Sequence, residues 1–376
     1  GRWIPDNSRL QRHVGAAIAY NIWHYYQVTK DEEFLSFFGA EMFLEIARFW
    51  ASIANYNEQR GRYEICNVLG PDEYHDAYPD AEEPGLDNNA YTNFMAAWVL
   101  WRVPEILSSI SQERRQELLF YLELDGDELN RWDNITRKML IPFHGNGIIS
   151  QFEGYEKLRE FDWQSYHEKY GDIQRLDRVL EAEQDTPNRY KASKQADVVM
   201  LFYLFSAEEL RSLFRRLGYE LSKEAIPRNI QYYMERTSHG STLSRVVHSW
   251  VLSRIDRRQS WSLFNRALES DVADVQGGTT PEGVHLGAMA GTVDLIQRCY
   301  TGVETRNDVL WLNPALPEEL DQLCMQFRYR GHFLQLVFGK NRVEVHSRAS
   351  KAPPIHIGFN DKSHKLAAGG KLKFSL

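Results

Sequence analysis

Cysteine is scarce in this chain. Cys66, Cys299 and Cys324 are three among 376 residues, an odd number with no Cys-x-x-Cys pair, which excludes a disulfide framework and a cysteine zinc site. Such usage suits a reducing compartment, and a cytoplasmic location is expected. Long apolar runs are missing too: none approaches the ~20 residues that a membrane helix needs. The opening Gly1–Asp6 holds no apolar stretch, so no secretory leader is expected there. Positive charge is not in excess. With 44 Lys and Arg against 52 Asp and Glu, the net charge is −8, and no basic field exists to draw nucleic acid or an anionic membrane. Any anionic ligand must be held by local groups. No nucleotide motif or metal-ligand spacing is visible, so no cofactor and no metal are expected.

Apolar and aromatic residues are plentiful. Hydrophobic residues make up 43% and aromatic ones 13%, with 10 Trp and 19 Tyr. That fills a large core and excludes disorder for most of the chain. Aromatic rings are also the surfaces on which sugars stack. Helical spacing runs through Ile18, Ile22, Tyr25 and Tyr26, through Met42, Ile46, Phe49, Trp50 and Ile53, and through Leu129, Trp132, Ile135 and Met139. Ser206 and Glu209 form a capping-box pattern ahead of Leu210, Leu213 and Phe214. Further helices are expected over Thr242–Ile255, Ser260–Val272 and Leu286–Arg298.

Between the helices lie long polar connections at 61–88, 144–154, 238–241 and 276–283. Long ordered loops usually carry function. Helical hairpins with elaborate loops on one side predict an α/α toroid whose loops build a pocket at one end. After about residue 305 the pattern changes to alternation. Strands are expected over Gln326–Tyr329, Phe333–Phe338 and Arg342–His346, then Ile355–Phe359 and Leu372–Leu376. The expected division is a helical catalytic portion over 1–305 and an antiparallel β-domain over 306–376.

Chemistry concentrates in Gly70-Pro71-Asp72-Glu73-Tyr74-His75. Gly-Pro cannot continue a helix, so this is a loop. A carboxyl there, kept neutral by burial or a nearby anion, is a general acid. Asp87-Asn88-Asn89-Ala90-Tyr91-Thr92-Asn93 follows; its amides can cap a helix, clamp the loop or read sugar hydroxyls. Ser238-His239-Gly240-Ser241-Thr242 offers hydroxyls and N–H groups where a helix begins, a good oxyanion cradle. His285 can donate a hydrogen bond or a charge to phosphate.

These blocks, with His144–Tyr155, Lys194-Gln195-Ala196-Asp197-Val198 and Gly277–Thr292, resemble the glycoside hydrolase family 65 phosphorylases. The resemblance covers nearly the whole helical part. It implies a mainly α fold, an (α/α)6-barrel portion followed by a small C-terminal antiparallel β-domain. It implies inverting phosphorolysis of an α-glucosidic disaccharide of maltose, trehalose or kojibiose type, giving β-glucose 1-phosphate and free sugar. Inorganic phosphate is then a co-substrate. Glu73 matches the general acid. Lys194 and Gln195 match the donor-sugar ligands, with Tyr74 and His75 beside them. Ser238, Gly240, Ser241, Thr242 and His285 match the phosphate site. A homodimer is implied as well.

Two other readings start from the same residues. A trehalase-like hydrolase of the family would need a base, and Glu282 is the candidate. A non-catalytic carbohydrate-binding fragment is the other. The family's β-sandwich and first barrel helices have no counterpart in the chain, which reads as a fragment with little activity alone. Gly1–Leu10 falls where the family shapes the acceptor subsite.

Overall fold

The structure, a computed structural model, describes residues 6–275, 281 and 283–376. The Gly277–Thr280 motif, Glu282 and the first half of the expected acceptor loop lie outside the described residues. The chain divides into two compact units. One comprises Gly1–Ile22 and Glu33–Val247, the other Trp23–Glu32 and His248–Leu376.

The first unit is helical and is built around Ala90–Ser108. Nearly every residue of that helix is buried, the mark of a helix at the centre of a core rather than on its surface. It packs against the helices Ala40–Ile53, Gly126–Lys138 and Val198–Leu204. Phe94 meets the rings of Phe205 and Phe214 at 5.3 and 5.2 Å, and Trp98 meets Tyr20 and Phe205 at 5.6 and 5.7 Å. Much of the aromatic surplus is therefore core. The Ser206 cap is present, its hydroxyl accepting from Glu209 N–H at 3.3 Å. Glu209 does not complete the box: its carboxylate accepts from Trp98 Nε1 and Arg102, both at 2.9 Å. Burying Trp98 and Arg102 requires such a partner.

In the second unit, the helix expected from Ser260 starts at Arg257, because Asp256 caps it by accepting from Gln259 N–H at 2.9 Å. Its C-terminal part is two four-stranded sheets. One pairs Gln322–Tyr329, His332–Gly339, Arg342–Ser347 and Lys371–Ser375 in antiparallel order. In His332–Gly339 alternate residues are buried, and Leu334, Leu336 and Phe338 form one core with Val343, Val345 and Ile357. The other sheet joins Lys362–Leu366, Ile355–Phe359, Val309–Trp311 and Glu304–Arg306. It departs from the antiparallel expectation at one place: Ile355–Phe359 runs parallel to Val309–Trp311. Among the described residues no helix is long and apolar enough to cross a membrane.

Candidate active site

Asp72 and Glu73 are neighbours in sequence and opposites in structure. Asp72 is buried. Its carboxylate accepts from Lys194 N–H at 2.8 Å and Gln151 Nε2 at 3.0 Å, and lies 3.0 Å from His75 Nδ1. His75 Nε2 lies 2.9 Å from the Tyr190 carbonyl. A carbonyl only accepts, so Nε2 carries a hydrogen. The His75 side chain has no exposed area. Tyr74 is buried as well, its hydroxyl 2.8 Å from Ser238 Oγ and 3.2 Å from the Gln174 carbonyl. Tyr74 and His75, expected beside the donor sugar, have their polar atoms bonded within the protein.

Glu73 faces outward. Its side chain is 49% exposed, and Lys194 Nζ donates to its Oε2 at 2.5 Å. The buried carboxyl next to this loop's backbone is Asp197, not Glu73. Asp197 is buried. Loss of hydration, then the negative charge of Asp72, push it up to about 8, and bonds from Asp72 N–H and Asn89 oppose the rise.

The stretch 193–197 grips the loop along its length. Besides the two Lys194 bonds, Gln195 Nε2 donates to the Pro71 carbonyl at 2.6 Å, and Asp72 N–H donates to Asp197 Oδ2 at 3.3 Å. Gly70 is required here, since a Cβ would stand 2.1 Å from Asp197 Oδ2. Gln195, expected to hold sugar, thus has its amide nitrogen on the loop backbone.

The segment 238–242 sits beside this clamp. Ser238 N–H donates to Ser193 O at 2.9 Å and Gly240 N–H to Lys194 O at 3.0 Å. Ser238 Oγ donates to the Gln174 carbonyl at 3.2 Å. A Cβ on Gly240 would stand 2.4 Å from Gln174 O and 3.1 Å from Lys194 Cγ. The N–H groups of Ser238 and Gly240, residues expected as phosphate ligands, fasten the segment to Ser193 and Lys194. Ser241 and Thr242 stand at the start of the helix Thr242–Leu252, where the first N–H groups have no intrahelical partner. Ser241 Oγ accepts from Leu243 N–H there at 3.3 Å.

His285 belongs to the second unit. Asp271 Oδ1 lies 2.6 Å from its Nδ1, and its N–H donates to Asp271 Oδ2 at 2.9 Å. The hydrogen bond from His285 holds the Asp271 carboxyl below the usual carboxylate range.

Asn88, Asn89 and Asn93 are all buried. Asn89 caps its helix by accepting from Thr92 N–H at 2.9 Å, and its Nδ2 donates to Gln151 O at 3.0 Å and to Asp197. Asn93 Nδ2 donates to Asn88 Oδ1 at 3.0 Å and to Leu140 O at 2.8 Å. Of the roles open to these amides, capping and clamping are the ones adopted. A cleft of about 440 Å³ elsewhere on this unit is lined by Arg60, Glu64, Asp87 and Glu153, among others. Arg60 already pairs with Glu64 at 2.9 Å and Glu153 at 2.6 Å, and Glu73 is not part of it.

The chain is thus a helical unit that carries Glu73 on an outward loop, followed by two four-stranded sheets. The comparisons identify the class of protein. Residues 1–294 match the glycosyl hydrolase family 65 central catalytic domain, and residues 303–366 match that family's C-terminal domain. The chain belongs to glycosyl hydrolase family 65. An uncharacterised glycosyl hydrolase of Mycobacterium tuberculosis is 51% identical over 98% of this chain and 28% of its own. The trehalose 6-phosphate phosphorylase of Lactococcus lactis is 36% identical over 100% of this chain and 47% of its own. A kojibiose phosphorylase of Halothermothrix orenii is 33% identical over 89% and 40%. The chain thus spans less than half the length of these relatives. A solved structure from the human microbiome, described as a candidate kojibiose phosphorylase, superposes with a TM-score of 0.77 at 23% identity, covering 96% of this chain and 49% of that one. That likeness supports the barrel-like helical domain with its appended sheets.

Proposed function

We propose that this chain carries the proton-donor side and part of the phosphate side of an inverting α-glucoside phosphorylase, with residues 1–305 as its catalytic portion. The observation that carries the reading is Lys194. Its ammonium holds Glu73 at 2.5 Å, and its stem lies where a Cβ on Gly240 would touch it at 3.1 Å. One residue therefore ties the outward carboxyl to the segment that opens a helix.

In the proposed reaction, phosphate attacks the anomeric carbon from the face opposite the glycosidic oxygen. The bond to that oxygen breaks as Glu73 gives it a proton, and β-glucose 1-phosphate and the free acceptor leave. Phosphate arrives already anionic, so no second carboxylate is needed to activate a water, as an inverting hydrolase requires. Glu73 must part from Lys194 to act. A donor-sugar hydroxyl arriving at Lys194 supplies the exchange partner. Phosphate is held by the Ser241–Thr242 helix start, where N–H groups and the helix dipole favour an anion. His285 as a further phosphate ligand rests on its chemistry and the family resemblance. The phosphorylases named above act on trehalose 6-phosphate and kojibiose, so an α-linked glucosyl disaccharide is the proposed substrate class.

The test is turnover of maltose, trehalose, kojibiose and trehalose 6-phosphate with and without phosphate. Phosphate-dependent cleavage of one of them, however slow for this chain alone, is expected. Glucose release that ignores phosphate overturns the reading in favour of a hydrolase.

A further inference from the structure

We infer that Asp197 is a positioning residue for the proton donor, setting the place of Glu73 through the Gly70–Asp72 turn. The inference rests on the reading of Glu73 as the acid.

Asp197 lies directly before the helix Val198–Leu204, yet it makes no side-chain cap there. Its carboxyl turns instead to the loop. Asp72 N–H donates to its Oδ2 at 3.3 Å, and Asn89 Nδ2 approaches both oxygens at 3.3 and 3.2 Å. Gly70 packs so closely on Oδ2 that no side chain fits between them. The three groups fix the peptide that leads into Glu73. Asn89 in turn is anchored to Gln151 O and to its own helix start. Asp197 therefore links the central helix to the active-site loop.

Asp197 Oδ2 takes the Asp72 N–H, and both oxygens lie within reach of Asn89 Nδ2. Burial and the nearby Asp72 push Asp197 up to about 8. An amide oxygen in its place would still accept the Asp72 N–H. A displacement of the turn by about 1 Å at Glu73 is enough to lower a rate about 100-fold.

The test takes the whole chain as wild type, Asp197→Ala and Asp197→Asn, with Glu73→Gln as reference. Each is assayed in phosphate with the disaccharide that turns over and with α-glucosyl fluoride, whose leaving group needs no proton. Crystal structures of the wild type and both Asp197 variants accompany the assays. A misplaced acid harms the disaccharide reaction selectively. Asp197→Ala should lower kcat on the disaccharide about 10- to 100-fold with KM little changed, and spare most of the fluoride rate. Asp197→Asn should recover the disaccharide rate to within about 5-fold, keeping an acceptor for the Asp72 N–H. In the Asp197→Ala structure the Glu73 carboxyl should leave its wild-type place. Equal losses on both donors, an unchanged disaccharide rate, or an unmoved Glu73 overturn the inference. If Glu73→Gln itself treats the two donors alike, the assignment of the acid has failed, and the structures still decide whether Asp197 places the turn. A chain that turns over neither donor is decided by the same structures, with Asp197→Asn standing in if Asp197→Ala does not fold.

Discussion

Lys194 meets the Glu73 loop twice, through its ammonium on Glu73 at 2.5 Å and through its N–H on Asp72 at 2.8 Å. The backbone bond is part-buried and sets the loop; the side-chain bond is exposed and can exchange for a ligand. Structure and proposed chemistry thus separate within one residue. Lys194→Gln should leave the melting temperature within a few degrees, since a partly exposed ion pair contributes about 0–1 kcal/mol. It should lower kcat/KM for the disaccharide about 10- to 100-fold, the range for a charge-assisted hydrogen bond to substrate. Thermal melts and steady-state kinetics check both halves.

Glu73→Gln removes the proton donor and keeps the shape. Disaccharide phosphorolysis should fall about 100-fold or more, the usual contribution of general acid catalysis. The fold should be unaffected, because the Glu73 side chain is 49% exposed. A circular-dichroism melt beside the rate assay separates the two effects.

Asp197 gives stability a sign with pH. Its ordinary value is 3.8, and burial with Asp72 nearby pushes it up to about 8 in the folded chain. Between those values the folded state holds a proton that the unfolded chain has lost, so raising the pH favours unfolding. The contribution is complete below about pH 4 and is lost as pH rises to about 8, with a slope approaching about 1.4 kcal/mol per pH unit. Asp197→Asn should flatten that part of the curve. Denaturant midpoints at pH 5, 6, 7 and 8 for both proteins measure it; parallel curves would contradict the assignment.

Asn89→Ala removes a helix cap and two further hydrogen bonds in a fully buried place. A loss of about 2–4 kcal/mol is expected, from a cap worth about 1 kcal/mol plus buried partners left unsatisfied. Urea titration reads it directly.

Gly240→Ala puts a methyl group 2.4 Å from the Gln174 carbonyl oxygen. That contact is backbone against backbone and cannot be relieved by a side-chain rotation. The helix start at Ser241 must shift, so KM for phosphate should rise more than KM for the disaccharide. Varying each substrate against a fixed excess of the other distinguishes the two.

The helix Ala40–Ile53 was legible from its apolar spacing, although its buried face is Phe43, Leu44, Ala47 and Trp50 while Met42 and Phe49 are exposed. The strands were legible from alternation around Leu334, Leu336 and Phe338. Boundaries shifted where a cap lay outside the apolar pattern, as Asp256 does for the helix at Arg257. In the site, the sequence could not tell which of Asp72 and Glu73 faces inward, since both are carboxylates one residue apart. The ligand roles of Tyr74, His75, Gln195 and Ser238 came from the family resemblance; the bonds these side chains make within the folded chain could not be read from residue type. Gln174 acts through a backbone carbonyl, which leaves no trace in residue type. Asp271 stands 14 residues before His285, a spacing that suggests nothing until the chain is folded.

The most direct test of the account is the chemical identity of the sugar released from an α-linked glucosyl disaccharide in phosphate buffer, read by ¹H and ³¹P NMR as the reaction runs. The account predicts glucose 1-phosphate appearing first as the β-anomer, in step with free acceptor, and its absence with Glu73→Gln. Free glucose with no phosphate ester, or an α-anomer as the initial product, would contradict it.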